Sequence, residues 1–117
     1  MTRAKLALAG LLAAAGAALA QPRPDPADGR LIAERWCAAC HLVAPDQLAA
    51  TAGVPPFAEI ARRHAGATGV LEGFLADPHP PMPDLSLTRQ EIRNLVAYIM
   101  SLKEARPSPG TVPPPTR

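Results

Sequence analysis

The stretch Cys37-Ala38-Ala39-Cys40-His41 holds the only two cysteines of the 117-residue chain and one of its three histidines. A Cys-x-x-Cys-His run is the attachment signature of a c-type haem. Two thiols three positions apart at a helix end lie about one turn from each other, so each can add to one of the two vinyl groups of the porphyrin. The next residue, His41, is then carried under the iron. The motif therefore predicts one covalently bound haem c, attached through Cys37 and Cys40.

Three other kinds of site contain a Cys-x-x-Cys pair. A thioredoxin-like redox pair needs a lowered thiol pKa, usually at a helix N-terminus, whereas Cys37 and Cys40 are expected at a helix C-terminus, where the dipole has the opposite sign. A zinc site would also need His64 and His79, which are too far apart in sequence for the paired spacing of a zinc finger. A disulfide would close a very short loop and constrain little of the unfolded chain. The motif favours haem over all three alternatives.

A helical pattern precedes the motif. Pro26 is typical of a first helical turn, and Gly29, Ala33 and Cys37 follow one another at steps of four. This spacing places the three residues on one helix face. The pattern predicts a first helix that runs to about Cys40.

A loop and three more helices are predicted after the motif. Residues 42–56 contain three prolines and show no sustained period, which predicts a loop with a turn near 47–50. Helices are expected over 57–64, over 68–75 and from Thr88 to about 103–106. Thr88 and Glu91 form a capping box at the start of the last helix. Its apolar stripe comprises Ile92, Leu95, Val96, Ile99 and Leu102.

The two ends of the chain differ in composition from the middle. Two basic residues precede an apolar run over 6–20, which is shorter than the ~20 residues that span a bilayer. Residues 1–20 are therefore predicted to be a cleaved signal peptide for export to the periplasm, which leaves no membrane anchor; retention of the run as an anchor is the alternative. Residues 107–117 include five prolines and are predicted to be a disordered tail. The domain is assigned to residues 21–106.

Charge and aromatic content limit what the mature chain can do. The 97 residues that follow the predicted cleavage site carry ten acidic and ten basic side chains. This zero net charge argues against binding to nucleic acid or to an anionic membrane.

The chain has only four aromatic residues, so the domain can bury little large apolar surface. Small domains of this kind usually need a further stabilising element, such as a disulfide or a bound metal. A bound haem is expected to complete the core.

On these residues the chain resembles the small, exported, mono-haem class I cytochromes c. The resemblance covers most of the mature chain and rests on the pentapeptide 37–41, Gly29, Ala33, Leu95 and Tyr98. It implies an all-α cytochrome c fold of three to five short helices around one haem, with a glycine at the crossing of the first and last helices. Ala33 departs from the family, which commonly has an aromatic residue there. Trp36 or Tyr98 is expected to fill the space.

The resemblance also implies a methionine as the sixth iron ligand, in a loop before the last helix. Pro80-Pro81-Met82-Pro83 stands in that place. The prolines restrict the backbone around Met82, so little ordering entropy opposes an iron–sulfur contact. Met100 follows the helical spacing instead and is expected to pack in the core. His79 is the competing ligand and would give a bis-histidine haem.

Residues that would contact the axial histidine or the haem propionates are also predicted. A metal-bound histidine usually donates its other ring N–H to an acceptor, and the resemblance implies that this acceptor is a loop proline carbonyl. Pro55 is predicted for this role, with Pro56 as the alternative. Trp36, Arg62 or Arg63 is a candidate partner of a haem propionate, and plain solvent exposure is the alternative for the two arginines.

The resemblance implies electron transfer without catalysis. His41 and Met82 would fill both axial positions and leave no open site for a substrate. The expected partners are redox proteins that donate or accept electrons in transient encounters, and a monomer in the periplasm is expected. Three alternatives remain: a haem-based sensor of a gas or peroxide, a haem subunit of a larger periplasmic oxidoreductase, and a haem-free thiol oxidoreductase.

Overall fold

The computed structural model describes residues 21–105, so the predicted signal peptide and the tail over 107–117 lie outside the described residues. Within this part the chain forms four α-helices and no strand, which confirms the all-α prediction. The helices are α1 (Pro26–Ile32), α2 (Phe57–Arg63), α3 (Thr68–Ala76) and α4 (Arg89–Ser101). A π-helical segment, Ala33–Cys37, directly continues α1. None of these helices combines the length and apolar character that a membrane crossing requires.

The first helix ends earlier than its periodicity predicts. Its start agrees with the sequence, because Pro26 occupies the first turn and the Asp25 carboxylate accepts the N–H groups of the first residues. The π-helical segment ends at Cys37, whereas the prediction placed the helix end at about Cys40. The Cys37 carbonyl accepts both the Cys40 N–H (3.1 Å) and the His41 N–H (2.8 Å). These two bonds span three and four residues, so a further turn follows Cys37 and leads to His41.

The other element boundaries lie close to their predictions, with one shifted turn. α2 and α3 end within one residue of the predicted positions, and the predicted capping box of α4 is present. α4 ends at Ser101 and a turn follows, short of the predicted 103–106. The loop turn lies at 44–47, where the Gln47 N–H donates to the Ala44 carbonyl (3.2 Å). The prediction of 47–50 was wrong because Pro45 takes the second position of the turn, which proline favours.

The crossing of α1 and α4 brings two backbones into direct contact. A Cβ atom on Gly29 would lie 2.0 Å from the Asn94 carbonyl oxygen, so only glycine fits. The side chain of Asn94 is buried at the same place. Its Oδ1 accepts the Asp25 N–H (2.9 Å) and its Nδ2 donates to the Asp28 carboxylate (2.7 Å). Asn94 therefore joins the start of α1 to α4, a role that the sequence analysis missed.

The core lies around α4, against which the first helix, the loop after the pentapeptide, α2 and α3 all contribute buried residues. Its buried apolar residues are Ala33, Cys37, Val43, Phe57, Ala61, Leu71, Ile92, Leu95, Val96, Tyr98, Ile99 and Leu102. Tyr98 belongs to this cluster with Ala33, whereas Trp36 is 52% exposed. Of the two residues expected to fill the space beside Ala33, Tyr98 and not Trp36 therefore lies in the core. Met100 packs against the cluster, as predicted.

Replacing Tyr98 by phenylalanine is expected to lower the free energy of unfolding at neutral pH by about 1–2 kcal/mol. The phenol donates to the carbonyl of the buried Val43 (2.7 Å), which would lose its partner. Burial raises the pKa of Tyr98. The stabilisation is therefore fully present below the unfolded pKa of about 10 and is lost as the pH rises through the higher folded pKa. Denaturant titrations of both proteins should show a difference that shrinks above about pH 10. A difference that grows with pH would contradict this assignment.

Candidate haem-binding site

The two cysteines occupy different environments. Cys37 ends the π-helical segment and is buried, whereas Cys40 lies in the following turn and is exposed. Both are free thiols. Burial, with a smaller contribution from Cys40, raises the pKa of the Cys37 thiol to about 11. A thioredoxin-like pair needs the opposite shift, and a disulfide between the two is not formed.

His41 is held by its side chain as well as by its backbone. Its Nδ1 lies 2.7 Å from the carbonyl oxygen of Pro55, and its ring centroid is 5.3 Å from that of Phe57. A carbonyl oxygen can only accept, so Nδ1 carries the proton and the Nε2 lone pair is left for a metal. The structure thus brings together His41 and Pro55. Pro56 instead precedes α2 as its N-cap residue.

This donor set fits a c-type haem. Cys37 and Cys40 could supply two thiols for thioether bonds, and His41 could supply one imidazole nitrogen for the iron. A zinc site was the alternative that the sequence disfavoured. No group of three or more His, Cys, Asp or Glu side chains that could hold a metal ion occurs within residues 21–105. His64 and His79 instead both lie near the ring of Phe74, with centroid distances of 6.4 and 5.6 Å.

Met82 lies in the proline-rich loop and is half-buried. Its N–H donates to the carbonyl of His79 (2.9 Å), which forms a turn. The His79 side chain is exposed and its ring contacts Phe74. The two competing sixth ligands therefore differ in burial. Met82 is the more enclosed of the two.

The predicted propionate partners lie at the surface. The Arg35 guanidinium lies 4.9 Å from the centroid of the Trp36 ring, at cation–π distance. Arg63 pairs with Glu59 on the same helix. Arg62 is exposed and lines a cavity of about 130 Å³ between the loop after the pentapeptide and the end of α4. Contact of Trp36 or Arg62 with a propionate stays a prediction.

Sequence reasoning missed the most heavily bonded side chain of the site, that of Gln47. Its Oε1 accepts the Val43 N–H (2.9 Å), and its Nε2 lies within 3.0 Å of the carbonyl oxygens of Ala38, His41 and Ala49. A side-chain amide both donates and accepts, so one residue can satisfy several loop backbone groups. The sequence hinted at this role of Gln47 only by placing an amide residue directly after Pro45 and Asp46.

Similarity to known proteins agrees with this geometry. The family model of cytochrome c matches residues 26–103. The chain is 44% identical over 93 residues to cytochrome c-552 of Bradyrhizobium diazoefficiens, an alignment that covers 80% of this chain and 89% of that protein. No solved structure gives a significant match. The haem-attachment pentapeptide, the helical fold around it and the match over most of the chain show that this protein belongs to the cytochrome c family, as a small class I member that binds haem c covalently and carries electrons.

Proposed function

We propose that this cytochrome carries single electrons between redox proteins of the periplasm, with thioether bonds at Cys37 and Cys40 and with His41 and Met82 as the axial iron ligands. The observation that carries the proposal is the hydrogen bond from His41 Nδ1 to the Pro55 carbonyl. It directs the ring proton to one nitrogen and leaves the other for iron.

The residues of the chain prepare the site for electron transfer without bond-making at a substrate. The haem, when bound, supplies an iron that alternates between the ferrous and ferric states. The Nδ1–H of His41 is engaged by the Pro55 carbonyl, which fixes the side of the ring that is left for iron. Occupation of both axial positions would leave no coordination site open for a ligand from solution.

Met82 suits the sixth position because its loop is restricted before any metal bond forms. Prolines precede and follow it, and its own N–H is already bonded to His79. A thioether is a weak ligand, so a restricted loop favours its contact with iron. Methionine opposite histidine raises the reduction potential of a haem. We expect a positive midpoint potential for this protein.

Met82→Ala is expected to abolish the weak far-red absorption band of an iron–methionine bond and to lower the midpoint potential. His79→Ala is the matched control from the same loop and should keep both properties. The measurements are the visible spectrum of the oxidised holoprotein and a redox titration. Loss of the band in His79→Ala with retention in Met82→Ala would reject Met82 as the ligand. Rapid, complete carbon monoxide binding by reduced wild-type protein at neutral pH would favour the sensor alternative.

Export and partner choice belong to the same proposal. The basic start and the apolar run over 6–20 support a cleaved signal and a periplasmic mature chain. The mass of the purified holoprotein tests this, since it should equal a chain that begins at Gln21 plus one haem. Zero net charge after cleavage gives little long-range steering. Encounters of a monomer with its redox donors and acceptors are therefore expected to be small and transient.

A further inference from the structure

We propose that Gln47 is a positioning residue for the iron ligand His41, and that it acts by holding the backbone of the pentapeptide 37–41 from the loop that follows it. The inference rests on the proposed ligation of iron by His41. It concerns the residues of this chain that fix the ligand, and not the attachment motif itself.

Every backbone carbonyl of the pentapeptide has a hydrogen-bond donor. The Cys37 carbonyl accepts from within the motif. The Ala38 and His41 carbonyls accept from the Gln47 amide at 3.0 and 2.9 Å. The remaining two accept from Thr51, whose hydroxyl lies 3.4 Å from the Ala39 oxygen and whose N–H lies 3.1 Å from the Cys40 oxygen. Two loop residues therefore fix the conformation of the motif.

His41 is constrained at three polar groups. Its N–H donates to the Cys37 carbonyl (2.8 Å), its Nδ1 to the Pro55 carbonyl (2.7 Å), and its own carbonyl accepts from Gln47 (2.9 Å). Gln47 is the only side chain that donates to the His41 backbone in residues 21–105. Releasing this bond frees the peptide plane after His41. The N–H bond to Cys37 and the Nδ1 bond to Pro55 then remain, and we expect the ring to take a changed orientation.

Gln47 is itself anchored to the core. Its Oε1 accepts the N–H of Val43 (2.9 Å), and the carbonyl of Val43 accepts the Tyr98 phenol (2.7 Å). Val43 is 1% exposed. A series of hydrogen bonds therefore links the buried face of α4, through Val43 and Gln47, to His41. This series holds the Gln47 amide in place while it binds the motif.

The chemistry of the amide accounts for the choice of glutamine. Its N–H₂ group faces carbonyl oxygens, and its oxygen faces an N–H. Glutamate keeps the shape and the acceptor but has no donor when ionised, so its carboxylate would face three carbonyl oxygens. Leucine keeps the approximate volume and removes every hydrogen bond. These two substitutions separate loss of donors from loss of all polar contact.

The test compares ferric holoproteins by proton NMR, because the hyperfine shifts of the haem methyl groups depend on the orientation of the axial histidine ring. Gln47→Glu and Gln47→Leu are both expected to change the pattern of these shifts and to shift the midpoint potential. Leu48→Ala is the matched control in the same loop, since Leu48 is 89% exposed, and it should keep the wild-type pattern. If Gln47→Leu yields no folded holoprotein, Gln47→Glu decides the question alone.

Two results separate this inference from the ligation on which it rests. His41→Gly should alter the haem methyl pattern if His41 is the iron ligand. An altered pattern in His41→Gly together with wild-type patterns and potentials in the Gln47 variants would overturn the positioning role alone. A wild-type pattern in His41→Gly would overturn the ligation and the inference with it.

Discussion

Gly29→Ala is expected to destabilise the protein by about 3 kcal/mol or more, because overpacking against backbone leaves no side chain that can move aside. The added Cβ would lie 2.0 Å from the carbonyl oxygen and 2.5 Å from the carbonyl carbon of Asn94. α1 and α4 would have to separate, which weakens the Asn94 bonds to the start of α1. Against a total stability of about 5–15 kcal/mol, this is a large loss. It should lower the melting temperature of a domain of this size by roughly 10–20 °C.

Gly73→Ala is the control for this substitution. Gly73 lies within α3, and a Cβ there would meet nothing within 4 Å. Alanine is a better helix former than glycine, so this variant is expected to gain about 0.5–1 kcal/mol. Denaturant unfolding of the two holoproteins measures both effects. Equal changes in the same direction would show that the close crossing at Gly29 does not govern stability.

Removing the prosthetic group is expected to abolish cooperative unfolding or to move it to much lower denaturant. The double variant Cys37→Ala with Cys40→Ala cannot form either thioether bond. The buried cluster of described residues contains only two aromatic side chains, Phe57 and Tyr98, while Phe74 is 46% exposed. A domain of this size that buries so little large apolar surface has only marginal stability unless a covalent link or a bound group adds to it. Circular dichroism during denaturant titration, with the haem content checked by mass, measures the change.

The single variant Cys40→Ala distinguishes the effect of losing one haem bond from the effect of losing a buried side chain. Cys40 is exposed, so its replacement changes no buried contact and leaves the Cys37 thioether. This single variant should keep a cooperative transition and lose less stability than the double variant. A double variant that is haem-free by mass and still unfolds at the wild-type denaturant concentration would show that the polypeptide alone forms the stable core.

Local patterns predicted the elements of the fold well. The capping box at Thr88 and the apolar stripe of α4 are both present, because each depends on residues within one or two helical turns. Gly29 was expected at the helix crossing from the family resemblance, and the structure explains it by the 2.0 Å approach. Pro55, expected beside the axial histidine, lies within hydrogen-bond distance of His41. Ligation by His41 and Met82 stays a prediction.

The features that escaped prediction depend on contacts between distant parts of the chain. Asn94 looked like a polar interruption of an apolar stripe, and its role appears only when Asp25, 69 residues earlier, is placed beside it. Gln47 looked like an ordinary loop residue, because its bonds are made to backbone groups, which leave no mark in the sequence. The boundary of the first helix at Cys37 is a smaller difference, since the chain continues there as a turn and helical periodicity does not distinguish the two.

The enclosed position of Cys37 has a consequence for biogenesis. As a free thiol in the closed fold this sulfur is buried and its pKa is raised, which makes it a poor partner for an incoming porphyrin. Helix α4 supplies the largest share of the cluster around it and begins only at Arg89. A polypeptide that emerges N-terminus first presents both sulfurs while this covering layer is still missing. We therefore expect haem attachment at Cys37 to precede the packing of the last helix over this sulfur.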